Sequence, residues 1–137
     1  MVKKEKFNNS KKAKKERGEV FTPTSLVDEM LDKLPKEVFL ENKTFLDNSC
    51  GNGQFLVNVL KRKMANGFGH VQSLRTIYGC ELDKKNALEC KQRLLLAVKK
   101  PSRTAVEILN NNIICADALD PNHKGWRKVG FYWSKQD

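Results

Sequence analysis

Three short apolar runs of the chain each end on an acid: Lys43–Asp47 (KTFLD), Thr76–Glu81 (TIYGCE) and Asn112–Asp117 (NIICAD). Each run has the length of a strand, and the stretches between them carry helical spacing. Leu26, Val27, Met30, Leu31 and Leu34 predict a first helix, capped by Thr24 or Ser25 and stopped at Pro35. Phe55, Leu56, Val59, Leu60 and Met64 predict a second, opening after Gly53 and closing at Gly67. Asp83 can cap a third, with Ala87, Leu88, Lys91, Leu94, Leu95 and Val98 on one face and Pro101 as its stop. Residues 103–110 predict one more short helix. This alternation of helix and strand is the rhythm of an α/β domain with a short parallel sheet and right-handed crossovers.

In an open parallel sheet, the carboxyl ends of the strands form one crevice, and ligands bind there. All the interesting polar groups fall at those ends. The first strand runs into "FLDNSCGNGQFL" (Phe45–Leu56), whose Gly51-Asn52-Gly53 turn lets a ligand approach the backbone closely. Glu81 ends the second strand, thirty residues after Gly51, and its carboxylate can accept two hydrogen bonds from a ribose diol. Asp117 ends the third and can accept from an exocyclic amine. Together they describe an adenosine-shaped ligand. A dinucleotide fits poorly, because bulky Leu56 stands where the fingerprint wants a third small residue and Asp47 would repel a phosphate. A P-loop is excluded, since no Gly-Lys-Ser/Thr follows the glycines. S-adenosylmethionine, with an ammonium, a sulfonium and no phosphate, suits the acids better, Asp47 neutralising the ammonium.

"VFTP", "FLDNSCGNGQFL", "YGCELD" and "IICADAL" stand in the order found in S-adenosylmethionine-dependent DNA methyltransferases. From Gly18 to Leu119 the chain resembles the enzymes that methylate the adenine amino group, including modification subunits of restriction systems. The resemblance implies a Rossmann-like methyltransferase fold and a set of roles. Phe21, Thr22 and Pro23 correspond to the segment that closes over the methionine end of the cofactor. Asp47, Asn48, Ser49, Cys50, Gly51 and Gly53 correspond to the loop around that moiety, and Phe55 to a wall just after it. Glu81 corresponds to the ribose-binding acid, Leu82 to the residue packing on the adenine ring, and Asp117 with Ala118 to the acceptor for the adenine amino group. The family usually shows proline where this chain has Asn48.

A larger departure follows. Enzymes of this kind carry Asn or Asp, Pro-Pro and an aromatic at the end of a fourth strand, where the target amine is held and the flipped base stacks. The sequence contains no Pro-Pro, and Asp120-Pro121 comes too early and leads into Asn122-His123. The reading is thus an incomplete fold with no catalytic residue assigned. In the family the fourth strand lies beside the first, so its absence leaves the first as an open edge where a second copy or a partner chain could pair. Lys128–Ser134 (KVGFYWS) alternates Val129, Phe131 and Trp133 and could fill that slot; otherwise Trp126, Phe131 and Trp133 would lie against another chain.

Charge separates the chain into parts. Residues 1–17 hold eight Lys and Arg against Glu5 and Glu16, which is +6 of the net +10. This basic arm reads as disordered and polyanion-seeking, with DNA the natural partner, or as a solubilising leader. Residues 18–119 form the cofactor-binding unit and 120–137 a C-terminal segment. No apolar run is long enough to span a membrane, and no secretory leader is evident. Cys50, Cys80, Cys90 and Cys115 lack metal-ligand spacing and sit in apolar runs, so they read as reduced core thiols of a cytoplasmic protein. Two further readings stay open: a non-catalytic S-adenosylmethionine-binding module, such as a truncated viral or mobile-element protein that regulates or binds nucleic acid, and a nicotinamide-binding oxidoreductase.

Overall fold

In a computed structural model of the chain, the described residues are 23–98 and 100–120. The basic arm, Phe21 and Thr22, and the alternating 128–134 run lie outside them. Six helices and three strands alternate along these residues: α1 Thr24–Asp32, α2 Glu37–Leu40, β1 Phe45–Asp47, α3 Gln54–Ala65, α4 His70–Leu74, β2 Ile77–Glu81, α5 Lys84–Ala97, α6 Arg103–Asn112 and β3 Ile113–Cys115. The strands form one parallel sheet in the order β1-β2-β3. Phe45 pairs with Ile77 and Asp47 with Gly79, while Gly79 pairs with Ile113 and Glu81 with Cys115. The α/β parallel architecture anticipated from the alternating pattern is therefore present, and among the described residues β1 is an edge.

Helix ends follow local chemistry. Asp83 caps α5 by accepting from the Asn86 N–H, and Ser102 caps α6 by accepting from the Ala105 N–H. At the end of α3, the N–H groups of Gly67 and Phe68 donate to the Met64 and Lys63 carbonyls, closing the helix as the glycine there predicts. The start of α1 differs from expectation. Pro23 occupies the cap position, and neither Thr24 nor Ser25 caps the helix. The Thr24 hydroxyl instead accepts from the Gln54 side chain. Two short helices, α2 and α4, escaped the periodic reading, because four or five residues are too few to show a period of 3.6.

The core lies where the helices pack on the sheet. Val27 and Leu31 of α1, Leu56, Val59 and Leu60 of α3, Leu74 of α4, Cys90 and Leu94 of α5 and Leu109 of α6 bury against Ile77 and Ile113. A methyl added to Gly79 would lie 2.8 Å from Leu56 Cδ1 and 2.9 Å from Cys50 Sγ. The face of β2 that carries Ile77, Gly79 and Glu81 thus meets α3 with no room to spare. The α5 stripe is Ala87, Cys90 and Leu94; Leu88, expected on the buried face, is 55% exposed. Leu26 and Met30 likewise face outward from α1 while Val27 and Leu31 point in, and Leu34, just past its end, is exposed.

Beneath the amino end of β1 lies a buried cation. Lys63 Nζ donates to Asn42 Oδ1 at 2.7 Å and to the Lys43 carbonyl at 2.6 Å, and stands 5.1 Å from the centre of the Phe45 ring. Its side chain is fully buried, and that loss of water pulls its pKa from the usual 10.5 down to about 8.

Candidate functional site

Parallel pairing places the predicted acids at neighbouring strand ends. Asp47 closes β1, Glu81 closes β2 two residues further along, and Asp117 follows Cys115, the partner of Glu81, by two residues. Two residues of extended chain are about 7 Å. The Ala116 N–H donates to the Glu81 carbonyl at 3.1 Å, which carries the β2–β3 pairing up to the edge of this mouth.

Glu81 is the most tightly held of the three. It is buried, and both carboxylate oxygens accept from backbone: Oε1 from the Gly51 N–H at 3.0 Å and Oε2 from the Asp83 N–H at 2.7 Å. It therefore ties the glycine loop to the turn that opens α5. The sequence offered Glu81 as a ligand acid; the structure adds this structural tie. A carboxylate has about four acceptor positions, so two remain beyond those bonds.

Asp47 is half-buried, and its Oδ1 accepts from the Ser49 N–H at 3.0 Å. Burial raises its pKa above the ordinary 3.8, and the Ser49 bond partly offsets that rise. A carboxylate in this state gains much from an incoming cation. Asn48 and Ser49 are exposed, and Cys50 turns inward, its N–H donating to the Cys80 carbonyl at 3.0 Å. The Cys50 thiol shares a hydrogen bond with Cys90, which, together with burial, pushes its pKa far up and leaves it protonated.

The two glycines of the loop take left-handed backbone, with φ of 53° at Gly51 and 89° at Gly53. A methyl added at Gly53 would lie 2.8 Å from Cys90 Sγ and 3.2 Å from Cys90 Cα. Close packing on α5 is thus one reason for glycine at position 53, independent of any ligand.

The remaining candidates surround this mouth. Leu82 is 71% exposed. Asp117 is exposed and its Oδ1 accepts from the Leu119 N–H at 2.9 Å, with Ala118 half-buried between them. Pro23 is exposed at the head of α1, and the Thr24–Gln54 bond seats that head beside the glycine loop. Phe55 packs partly buried against the core. Phe21 and Thr22 fall outside the described residues.

Sequence reasoning missed three residues here. Leu119 is 86% exposed beside Asp117, an apolar group at the mouth that a short apolar run could not distinguish from core. Cys90 and Arg93 reach the glycine loop from α5, and nothing local in the sequence signals an approach between residues about 40 positions apart. Cys115, taken for a core thiol, is exposed at the end of β3, whereas Cys50, Cys80 and Cys90 are buried as expected. A cavity of about 320 Å³ lined by Arg75, Tyr78, Ile108, Asn111 and Asn112 lies toward the opposite, amino end of the strands, away from the acids.

The family model described as N-6 DNA Methylase matches residues 6–127. No significant match is found among curated proteins or among solved structures.

Proposed function

Since the chain belongs to the N-6 DNA methylase family, we propose that residues 18–119 bind S-adenosylmethionine as the cofactor half of a DNA adenine methyltransferase with a Rossmann-like fold. The observation that carries this reading is the buried Glu81 carboxylate, fixed by two backbone N–H groups at a mouth shared with Asp47 and Asp117. Its two remaining acceptor positions suit a ribose diol. Exposed Leu82 and Leu119 offer apolar surface to a purine, and Asp117 offers an acceptor to its amino group. Half-buried Asp47 favours an ammonium and disfavours a phosphate, which argues for this cofactor over a dinucleotide. Gly51 and Gly53 carry the loop backbone past the methionine end, with Asn48, Ser49 and Cys50 shaping it, Phe55 backing it, and Phe21, Thr22 and Pro23 covering it. When bound, the cofactor supplies an electrophilic methyl group for the adenine amino nitrogen. The contribution of this chain is alignment and electrostatics.

The sequence has no Pro-Pro, so the group that holds the target amine comes from a further segment or a partner chain. The β1 edge, open among the described residues, is where a second chain pairs. The basic arm engages DNA phosphates. A cytoplasmic restriction-modification system is the setting that fits these parts. The same absence of Pro-Pro favours the second reading, a module that binds the cofactor without turnover and regulates or binds nucleic acid.

Calorimetric titration with S-adenosylmethionine and with NAD tests the cofactor. Binding of the former, weakened about tenfold or more by Glu81→Ala, is the expected result; binding of NAD alone overturns the proposal. Methyl transfer to adenine-containing DNA by this chain alone would refute the assignment of the reacting group elsewhere.

A further inference from the structure

Arg93 stands three residues after Cys90, on the side of α5 that meets the glycine loop. One guanidinium nitrogen donates to the Asn52 carbonyl at 3.2 Å, and the other to Gln54 Oε1 at 2.6 Å. Guanidinium has only donors, so the Gln54 amide must turn its oxygen to Arg93 and its nitrogen away. That nitrogen donates to the Thr24 hydroxyl. One line of bonds therefore joins α5, the loop between two left-handed glycines, the first residue of α3 and the first residue of α1. The Asn52 Oδ1 takes no part in this hold: it is buried without a hydrogen bond among the described residues. The Asn52 carbonyl is thus the loop atom that Arg93 holds. A planar fork can satisfy both acceptors at once, which an ammonium cannot.

We propose that Arg93 is a positioning residue for cofactor binding: it fixes the Asn52 peptide of the glycine loop and, through Gln54, holds the head of α1 against that loop. The inference rests on the loop being the cofactor site. It adds a residue outside every matched motif and a mechanical link between two segments that chain order keeps apart.

Two measurements separate the brace from the function. Hydrogen exchange on the cofactor-free protein reads the brace alone. Arg93→Met should speed exchange about tenfold at the Gly53 and Val27 amides, which donate to the Cys50 and Pro23 carbonyls, with Lys85→Met on the exposed side of the same helix leaving both unchanged. Unchanged exchange in Arg93→Met overturns the proposal. Calorimetry with S-adenosylmethionine then reads the consequence. Arg93→Met should weaken binding about tenfold, Arg93→Lys should recover part of that loss, and Thr24→Val should weaken it several-fold. The double variant Arg93→Met/Thr24→Val should lose less than the product of the two single effects, because both cut one line of bonds. Strict multiplicativity overturns the link to α1, and that test holds with the mild Thr24→Val change even if Arg93→Met lowers stability. Failure of the wild-type chain to bind S-adenosylmethionine while the exchange result stands would overturn the cofactor assignment and leave the brace without a ligand to serve.

Discussion

Replacing Gly53 with alanine puts a number on the packing of the glycine loop. Two costs add. A residue with a Cβ at φ of 89° is strained by about 1–2 kcal/mol. The new methyl would also lie 2.8 Å from Cys90 Sγ and 3.2 Å from Cys90 Cα, and overpacking of this kind costs about 1–3 kcal/mol. Gly53→Ala should therefore destabilise the fold by about 2–5 kcal/mol. Urea unfolding followed by circular dichroism reads this directly. With a slope of about 1–2 kcal/mol per molar for a domain of this size, the midpoint should fall by more than 1 M. Repeating the change in a Cys90→Ala background isolates the second cost. The sulfur is gone there, while the strain at position 53 and the crowding against the α5 backbone remain, so the penalty should shrink by about 1–2 kcal/mol. An unchanged midpoint in the first comparison would refute the strain. Equal losses in both backgrounds would show that Cys90 is not the obstacle and that glycine is needed at position 53 for another reason.

Other expectations follow from the same geometry. Glu81→Gln keeps the size but turns one acceptor into a donor facing a backbone N–H, so it should cost about 1–3 kcal/mol in urea unfolding as well as cofactor affinity; loss of affinity with no loss of stability would show that the loop tie is idle. Lys63 has its pKa lowered in the fold, from 10.5 to about 8. Its neutral form is thus preferred when folded, and stability gained from it rises as pH climbs from 8 to 10.5. The stability gap between wild type and Lys63→Met should change by up to about 3 kcal/mol over that window, in favour of wild type at the higher pH, and a flat gap in pH-dependent unfolding would contradict the buried cation. Of the four thiols, Cys115 alone is exposed, so brief iodoacetamide treatment followed by mass spectrometry should label it first. Bound S-adenosylmethionine should slow that labelling if the mouth is where the cofactor sits.

The strands were legible in the sequence because short apolar runs ending in acids have few other solutions. The second helix could be read from its start to its glycine stop for the same reason, since Gly53 and Gly67 bracket one uninterrupted period. Errors came where long-range packing decides. Leu88 and Cys90 compete for the buried side of α5, and the winner is the residue small enough to meet Gly53. Thr24 looks like a cap by local rules, yet its hydroxyl is taken by Gln54, thirty residues away. The candidate site was legible as a set of strand ends, because parallel pairing forces those ends together. Its supporting layer was not: the double anchoring of Glu81 and the reach of Arg93 depend on register and on how α5 lies across the loop, which no spacing rule encodes.

Among the described residues, the strands stand side by side in the order in which they are synthesised. Of these three, a ribosome releases β1 first, then a neighbour for it, then a neighbour for that one, so none of the three must be threaded between two already joined. Each arrival extends a growing margin and brings its own covering helix. Assembly can therefore keep pace with translation, and the margin that waits longest for company during synthesis is the one formed by β1. Nascent chains in which residues up to 81 have cleared the ribosome should already protect β1 from proteases, whereas those in which Ile77 has not yet emerged should not.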